Sequence, residues 1–358
     1  MNPRVSVVVA TYQHALFVGE TIRSVLDQSF QDFEIVIVND GSRDGTSEVI
    51  HGFSDPRINM EVFPENRGPS IAWNSAIRQS RGEFICVLDS DDYFLPGKLE
   101  KQIAFLDANP LIAAVFGQPR IIDEEGKPIS SDTREYILPP FGAPAVNRTP
   151  SRCDWLRHFF FRGNCLCQST MMIRRSAHSE VGPYDARLLN LGDFDMWVRL
   201  CMGHEIHVMP ESLTAYRVLK RNRNMSAPRV DTILRSNFEY SEILKHYLAM
   251  APELARKVFA VDLAENGIDP ENPMELWLAE LALAANGFPQ RLFALETMFR
   301  ALPQTGGDVR HYWRLIELTG TQDVFGFDVR SQLEGYTKSR IHRFASVIQR
   351  TWQRLGMR

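Results

Sequence analysis

The chain opens with short, nearly continuous apolar runs that alternate with segments whose apolar residues recur every three or four positions. The runs cover residues 5–10, 33–38, 59–63 and 84–87. The helical segments between them include one that carries Val18, Ile22, Val25 and Leu26, and another over about 70–79. Nearly continuous apolar runs rich in β-branched residues are typical of parallel strands covered on both faces. Strands that alternate with helices predict βαβ units and a parallel sheet.

Polar residues stand where each predicted strand ends. Thr11, Asp40, Asn66 and Asp89 follow or close the first, second, third and fourth runs, respectively. Open α/β sheets bind their ligands outside the carboxyl ends of the strands. We therefore expect these four side chains to lie at one ligand-binding edge.

The fourth run leads into the acidic segment Leu88-Asp89-Ser90-Asp91-Asp92. An extended backbone would place Asp89 and Asp91 on the same side, because strand side chains alternate. Two neighbouring carboxylates repel each other unless a positive charge lies between them, and a divalent cation that carries phosphate oxygens supplies that charge. For an isolated motif of this kind, a solvated acidic turn is the alternative.

A second acidic segment lies further along the chain. Phe194, Trp197, Val198 and Cys201 have the spacing of an amphipathic helix packed on the sheet. Asp193 falls in the first turn, where a carboxylate stabilises the helix dipole. Asp195 lies about 200° further round the helix, so the two carboxylates cannot face one site. Asp193 is thus a helix-capping residue, a functional base, or both.

Composition narrows the class of protein. The chain has 358 residues, which is enough for two domains of ordinary core size, and its formal net charge is −4. The five cysteines have no regular spacing and indicate a reduced, cytoplasmic protein rather than a disulfide framework. No apolar run reaches the length of a transmembrane helix, and the first strand begins almost at once, so we expect neither a membrane span nor a signal peptide. Residues 1–228 show no basic face with interleaved aromatic residues, so we do not expect binding to nucleic acid.

The region after about residue 229 has a helical pattern, and we expect it to pack on the preceding domain or on a second subunit. The predicted helices cover residues 233–250, 252–266, 273–286, 290–302 and 309–319. Residues 131–150 predict a long loop. The terminal segment 338–358 holds six Lys or Arg and no acid, with an apolar stripe. It predicts a basic amphipathic helix that either contacts an anionic membrane interface, here the inner face of the plasma membrane, or docks on its own protein.

Taken together, the segments resemble the family 2 glycosyltransferases of the GT-A fold, of the non-processive bacterial type. The segments that carry the resemblance are 5–13, 33–46, 66–81, 82–92, 191–200 and 215–226, in the family's order, so it covers about 4–228. The resemblance implies an α/β fold, a Rossmann-like, mostly parallel sheet with flanking helices. It implies domains at 1–228 (nucleotide-binding half 1–104, acceptor-binding half 105–228), a helical extension at 229–337 and the basic helix at 338–358.

The resemblance also assigns roles to residues. Thr11 and Asp40 would hold the nucleotide base, with Tyr12 and Asn66 also at the nucleotide. Asp89 would contact the ribose and, with Asp91, a Mn²⁺ or Mg²⁺ ion. Asp193 would be the general base. The implied reaction is inverting, metal-dependent transfer of one sugar from a nucleotide-sugar, most simply a UDP-sugar, to a hydroxyl of a glycan or glycolipid acceptor, as in cell-surface polysaccharide biosynthesis. We expect Asp92 and Asp195 to be structural, with Asp92 satisfying backbone donors near the following helix.

Three positions depart from the family pattern. Ala72-Trp73-Asn74 lacks an arginine that the family often has, Gly192 replaces a glutamate, and residues 218–220 lack a histidine. Lys220, Arg221 and Arg223 could supply positive charge to the diphosphate instead, or could be an ordinary solvated loop.

Two other classes of protein stay open at this stage. A nucleotidyltransferase would share the sheet and the acidic metal site, but it should carry a Gly-rich, Lys-bearing loop after the first strand, and residues 11–14 are not such a loop. A non-catalytic nucleotide- or sugar-binding module would account for the glutamate missing at Gly192. Processive synthases are not expected, because they carry membrane helices and a Gln-x-x-Arg-Trp motif that this chain lacks.

Overall fold

The computed structural model describes residues 2–129, 149–220, 223–285 and 287–301. The chain divides into two compact units, residues 1–274 and 275–358. The first unit holds the sheet and the helices packed on it. The described part of the second unit consists of most of one helix and the whole of the next.

Among the described residues, eight strands form one mixed sheet in the order β3-β2-β1-β4-β7-β6-β8-β5. The strands are β1 Val5–Thr11, β2 Phe33–Asn39, β3 Ile58–Val62, β4 Phe84–Asp89, β5 Tyr93–Phe94, β6 Ile112–Ile122, β7 Met172–Arg174 and β8 Glu205–Arg217. The first four strands in this order are parallel to one another. The short β7 runs antiparallel to both β4 and β6, so it joins the parallel half to the rest of the sheet.

Helices connect and cover these strands. They are α1 Val18–Leu26, α2 Thr46–His51, α3 Pro69–Gln79, α4 Lys98–Ala108, α5 Arg152–Arg162, α6 Arg175–Val181, α7 Gly192–Gly203, α8 Val230–Leu244, α9 Pro252–Asn266, α10 Met274–Ala284 and α11 Phe288–Ala301. Single 3₁₀ turns cover Gln168–Thr170 and Lys245–Ala249. Across the part of the chain that the structure describes, no helix is both long and apolar enough to cross a membrane.

The apolar runs form the strands because both faces of the parallel half are buried. Val7 and Val9 of β1 pack with Ile35 of β2, and Val18 and Ile22 of α1 cover them, all fully excluded from solvent. Each such side chain contributes roughly 1.5–3 kcal/mol on burial. The predicted strands β1 to β4 and helices α1, α3 and α7 are confirmed.

The helical pattern after residue 229 is also confirmed as far as the description extends. Helices α8 to α11 occupy four of the five predicted segments. Helix α9 is joined to α5 through the ion pair between Arg157 Nη2 and Asp262 Oδ1, at 2.7 Å. The fifth predicted helix at 309–319, the basic segment 338–358 and most of the predicted loop at 131–150 lie outside the described residues. The domain boundaries at 228 and 337 stay predictions.

Candidate active site

The carboxyl ends of β1, β2 and β4 lie side by side. In the register of the sheet, Thr11 is opposite Asn39, the residue before Asp40, and Ala10 is opposite Asp89. Three of the four predicted strand-end residues are thus brought to one edge by neighbouring parallel strands. The fourth, Asn66, follows the edge strand β3 and is exposed.

Asp40 is buried and holds the loop that follows β3. Its Oδ1 accepts the backbone N–H of Arg67 at 2.7 Å, and its Oδ2 accepts that of Gly68 at 2.9 Å. Burial raises the pKa of Asp40, although these two hydrogen bonds act in the opposite direction. Gly41 allows the contact, because a Cβ there would lie 2.5 Å from the carbonyl carbon of Glu65. Each oxygen keeps a second lone pair for a ligand N–H.

The side chain of Thr11 is buried next to this loop, and its hydroxyl has no hydrogen-bond partner in the described structure. An unsatisfied buried hydroxyl typically costs about 1–3 kcal/mol. A ligand group at this edge would supply the missing partner. Tyr12 is 44% exposed at the same strand end, where a flat ring can contact a ligand from outside.

The acidic segment after β4 is a turn rather than an extended strand. The backbone N–H of Asp92 donates to the carbonyl of Asp89 at 3.0 Å. The expectation of an extended backbone through Asp91 was therefore wrong, because the chain turns here. Asp92 is buried and structural, as expected, but its donors differ from those expected: they are the hydroxyl of Ser169 at 2.6 Å and the backbone N–H of Arg217 at 2.9 Å.

The carboxylates of this turn lie close together and are poorly exposed to solvent. Burial, together with the charges of Asp91 and Asp193, raises the pKa of Asp89 to about 7. Burial and the two neighbouring carboxylates also raise the pKa of Asp92 well above its usual range. A bound cation would relieve this repulsion.

The donor set fits a cation that is shared with a substrate. Within the described ranges, no group of three or more His, Cys, Asp or Glu side chains is arranged to hold a metal ion by itself. Magnesium is commonly held by one or two carboxylates, with phosphate oxygens and water completing its shell. Asp89 and Asp91 are the carboxylates that could hold a divalent cation in that way.

Arg217, at the end of β8, holds the acidic turn in place through hydrogen bonds. Its backbone N–H binds Asp92, its Nε donates to the carbonyl of Asp91 at 2.8 Å, and its Nη2 lies 2.5 Å from Glu20 Oε2. The guanidinium is almost fully buried. The sequence marked residues 215–217 only as a closing segment. The sequence did not predict these contacts, because Asp91, Asp92 and Glu20 are all more than 120 residues from Arg217.

Asp193 lies in the first turn of α7, on the predicted amphipathic helix. Its Oδ1 accepts the backbone N–H of Phe194 at 2.7 Å, and its Oδ2 accepts the side-chain amide of Asn164 at 2.9 Å. Burial raises the pKa of Asp193 to about 6, against the lowering effect of these two bonds. The side chain is therefore anchored and is ready to accept a proton near neutral pH.

Asp195 faces elsewhere and is structural, as the helical spacing predicted. Its carboxylate pairs with the guanidinium of Arg199 at 2.6 Å and lies 2.7 Å from Nε2 of His246. It is buried among these partners. Through these two contacts, Asp195 links α7 to the 3₁₀ turn that follows α8.

The glycine at position 192 has a packing reason. A Cβ there would lie 2.8 Å from the hydroxyl oxygen of Ser70, which donates to the carbonyl of Leu188 at 3.1 Å. A side chain at position 192 would therefore require the Ser70 hydroxyl to move.

This contact gives a testable coupling between Gly192 and Ser70. In Gly192→Ala, the Ser70 hydroxyl must rotate away and lose its hydrogen bond, which is worth about 1 kcal/mol. We expect Gly192→Ala to be about 1 kcal/mol less favourable in the wild-type background than in Ser70→Ala, measured as unfolding free energies in a double-mutant cycle. Equal effects in the two backgrounds would show that the space around Gly192 is not restricted by Ser70.

Residues at or beside the other two departures from the family pattern make contacts within the protein. The amide of Asn74 exchanges two hydrogen bonds with the backbone of Tyr184, at 2.8 and 2.9 Å, so this asparagine fastens the loop before α7. Lys220 lies 2.5 Å from Glu125, and Arg223 pairs with Glu124. Arg221 lies outside the described residues. A diphosphate role for these cations stays a prediction.

The mixed α/β sheet, with an acidic turn at its centre and a helix-borne carboxylate beside it, has the GT-A fold. The model of the family "Glycosyl transferase family 2" matches residues 6–182. The chain belongs to this family and is a transferase enzyme.

Named relatives agree with this assignment. An uncharacterized glycosyltransferase of Methanocaldococcus jannaschii is 29% identical over 232 residues, which is 63% of this chain and 74% of that protein. The Bacillus subtilis glycosyltransferase TuaG, whose name places it in teichuronic acid biosynthesis, is 29% identical over 245 residues, 68% of this chain and 89% of TuaG.

Two solved structures share the fold. S. aureus TarS 1–349, crystallised with UDP-GlcNAc, has a TM-score of 0.56 at 17% identity and covers 88% of this chain and 91% of its own. The mannosyltransferase PcManGT of Pyrobaculum calidifontis, in complex with GDP-Man and Mn²⁺, has a TM-score of 0.53 at 17% identity and covers 99% of this chain and 88% of its own. At this identity the likeness shows the fold alone.

Proposed function

We propose that the enzyme transfers one sugar, with inversion, from a nucleotide-sugar to a hydroxyl of a glycan or glycolipid acceptor, with a divalent cation as cofactor. The observation that carries the proposal is the pairing of an electrostatically strained acidic turn with the separate, anchored carboxylate of Asp193. The turn suits a diphosphate leaving group, and Asp193 suits an attacking hydroxyl.

The donor's base would lie at the ends of β1 and β2. Asp40 can accept a uracil N3–H, and the unpartnered hydroxyl of Thr11 can donate to or accept from the base. The UDP-GlcNAc complex of TarS supports a UDP-sugar. PcManGT binds GDP-Man on the same fold, so the protein's own side chains, and not the fold, must select the base.

Asp91 and Asp89 would hold Mn²⁺ or Mg²⁺, and the cation when bound would neutralise charge on the diphosphate. The protein's part is to keep the turn in place. Arg217 donates to the backbone of Asp91, while Ser169 and Arg217 together fix Asp92. The Mn²⁺ in the PcManGT complex supports this cofactor.

Asp193 would take the proton of the acceptor hydroxyl as it attacks the anomeric carbon. A pKa of about 6 leaves the side chain deprotonated at neutral pH, and Asn164 fixes its orientation. A single displacement with one base, and without a protein nucleophile, inverts the anomeric centre.

The name of TuaG supports an acceptor in polysaccharide biosynthesis. Peripheral membrane contact through 338–358 and a homo-oligomer rest on the sequence pattern alone.

The test is a panel of nucleotide-sugars offered to the purified protein with and without Mn²⁺ or Mg²⁺. We expect a UDP-sugar to raise the melting temperature in the presence of the cation, because a ligand that binds only the folded state stabilises it. Slow release of UDP and free sugar from the same donor would identify an enzyme. Binding without release would favour a binding module, and pyrophosphate release from a nucleoside triphosphate and a sugar phosphate would favour a nucleotidyltransferase.

A further inference from the structure

Glu239, on helix α8, is a buried carboxylate that lies far along the chain from the acidic segments. Its Oε1 accepts the backbone N–H of Leu189 at 2.9 Å, and its Oε2 accepts those of Asn190 at 2.9 Å and Leu191 at 2.8 Å. The loop of these three residues leads directly into α7. We propose that Glu239 is a positioning residue that sets the place of Asp193, an inference that rests on the base role proposed for Asp193.

The start of α7 depends on this contact. Leu191 occupies the N-cap position and supplies no side-chain hydrogen bond to the first turn. Its own backbone N–H, with those of the two residues before it, goes to Glu239. The N-cap residue gives the helix no side-chain cap, and its own backbone is held by a side chain of α8. Asp193 follows Leu191 by two residues.

Helix α8 is itself fixed close to the site. The hydroxyl of Tyr240, next to Glu239, donates to the carbonyl of Phe159 at 2.6 Å, and its ring packs edge-on against Phe194 at 5.2 Å between centroids. The Nη1 of Arg235 lies 3.2 Å from the side-chain oxygen of Asn190. The anchor for the loop is thus a firmly packed helix.

The opposite side of the same loop contacts the nucleotide side of the site. Ser70 donates to the carbonyl of Leu188, and a Cβ on Gly68 would lie 3.5 Å from the Leu189 side chain. Gly68 also donates its N–H to Asp40. The loop therefore lies between α8 and the residues that hold Asp40. Glu239 thus holds the loop that precedes Asp193 beside the residues proposed to bind the nucleotide.

The consequence concerns the helical region as a whole. The family model ends at residue 182, and Glu239 lies beyond it. The helical region then contributes at least one positioning residue, Glu239, and is not only an appendage.

The test compares Glu239→Gln with Glu242→Gln in the full chain. Glutamine at 239 keeps the size but turns an amide N–H₂ toward backbone donors, so the loop loses part of its anchor. We expect kcat to fall about 10²-fold, as small misplacements of catalytic groups commonly do, with the donor Kd unchanged. Glu242 lies on the same helix and pairs with Lys245, so its substitution should change neither quantity.

The pH profile provides a readout that a purely structural role would not move. Burial is the largest cause of the raised pKa of Asp193, and the charge of Glu239 adds to it. Removing that charge should therefore move the acid limb of kcat to lower pH in Glu239→Gln and leave it in place in Glu242→Gln. Amide hydrogen exchange over residues 189–191 should become faster in the first variant only.

The double variant Glu239→Gln/Asp193→Asn separates this inference from the assignment of the base. If Glu239 acts through Asp193, its substitution adds little to the loss already caused by Asp193→Asn. If Asp193→Asn alone keeps wild-type kcat, the base assignment fails, while hydrogen exchange still reports whether Glu239 holds the loop. Wild-type kcat in a folded Glu239→Gln protein overturns the proposal. Should that variant not fold, Glu239→Asp, which retracts the carboxylate by one methylene, takes its place. It is expected to lower kcat less than 10²-fold with an unchanged donor Kd, and wild-type kcat in a folded Glu239→Asp protein would overturn the proposal.

Discussion

Replacing Asp91 with alanine is expected to abolish cation-dependent binding of the nucleotide-sugar and to leave the protein folded. The side chain of Asp91 is only partly buried, and its contact with the Asn224 amide is long, at 3.4 Å. The hydrogen bond from Arg217 goes to the backbone carbonyl of Asp91, which alanine retains. Calorimetric titration of UDP with and without Mn²⁺ measures the effect.

Two other aspartates provide the controls for this prediction. Asp107→Ala removes a carboxylate that pairs with Arg4, near the opposite end of β1, and should leave UDP affinity unchanged. Asp92→Ala removes the partner of Ser169 and of the Arg217 backbone, so it should lower the melting temperature, unlike Asp91→Ala. Metal-dependent affinity that persists in Asp91→Ala would remove Asp91 from the cation site.

The parallel half of the sheet could be predicted from the sequence because its determinants are local. Val5–Thr11 and Phe33–Asn39 are mostly apolar and almost wholly buried, as expected for strands covered on both faces. The position of a residue at a strand end follows from the pattern of its own segment. Parallel pairing then brings Thr11, Asp40 and Asp89 together without further information.

The parts that the sequence did not predict depend on distant contacts. The turn at residues 89–92 is held by Ser169 and Arg217, which are 77 and 125 residues from Asp92. No pattern near Asp91 records those partners. For the same reason, a segment that looked extended by alternation proved to be a turn.

At the start of α7 the helix itself was predicted, but the distant contacts that hold it were not. The spacing of Phe194 and Trp197 predicted the helix, and Asp193 was placed correctly in its first turn. The anchor on Glu239 lies about 50 residues further on, in a helix whose sequence pattern indicates only packing. Gly192 was visible as a departure, but its reason, the approach of Ser70, is a tertiary contact.

Asp193→Asn is expected to lower kcat by about 10²–10⁴-fold while donor affinity persists. Asparagine is close in size to aspartate and can still accept the N–H of Phe194, so the first turn of α7 should keep its shape. What it loses is the capacity to accept a proton from the acceptor hydroxyl. Steady-state kinetics with a soluble acceptor, alongside UDP titration, separate the two effects.

The pH dependence ties this loss to one group. Protonated Asp193 cannot act as a base, so wild-type kcat should be full above the pKa of about 6 and fall as the pH drops through it. Asp89 also has a raised pKa, of about 7, and could contribute a limb of its own. The limb that disappears in Asp193→Asn therefore belongs to Asp193. A variant that keeps both the wild-type kcat and the acid limb would assign the base to another group, and Asp195 could not take the role without giving up its pairing with Arg199 and His246.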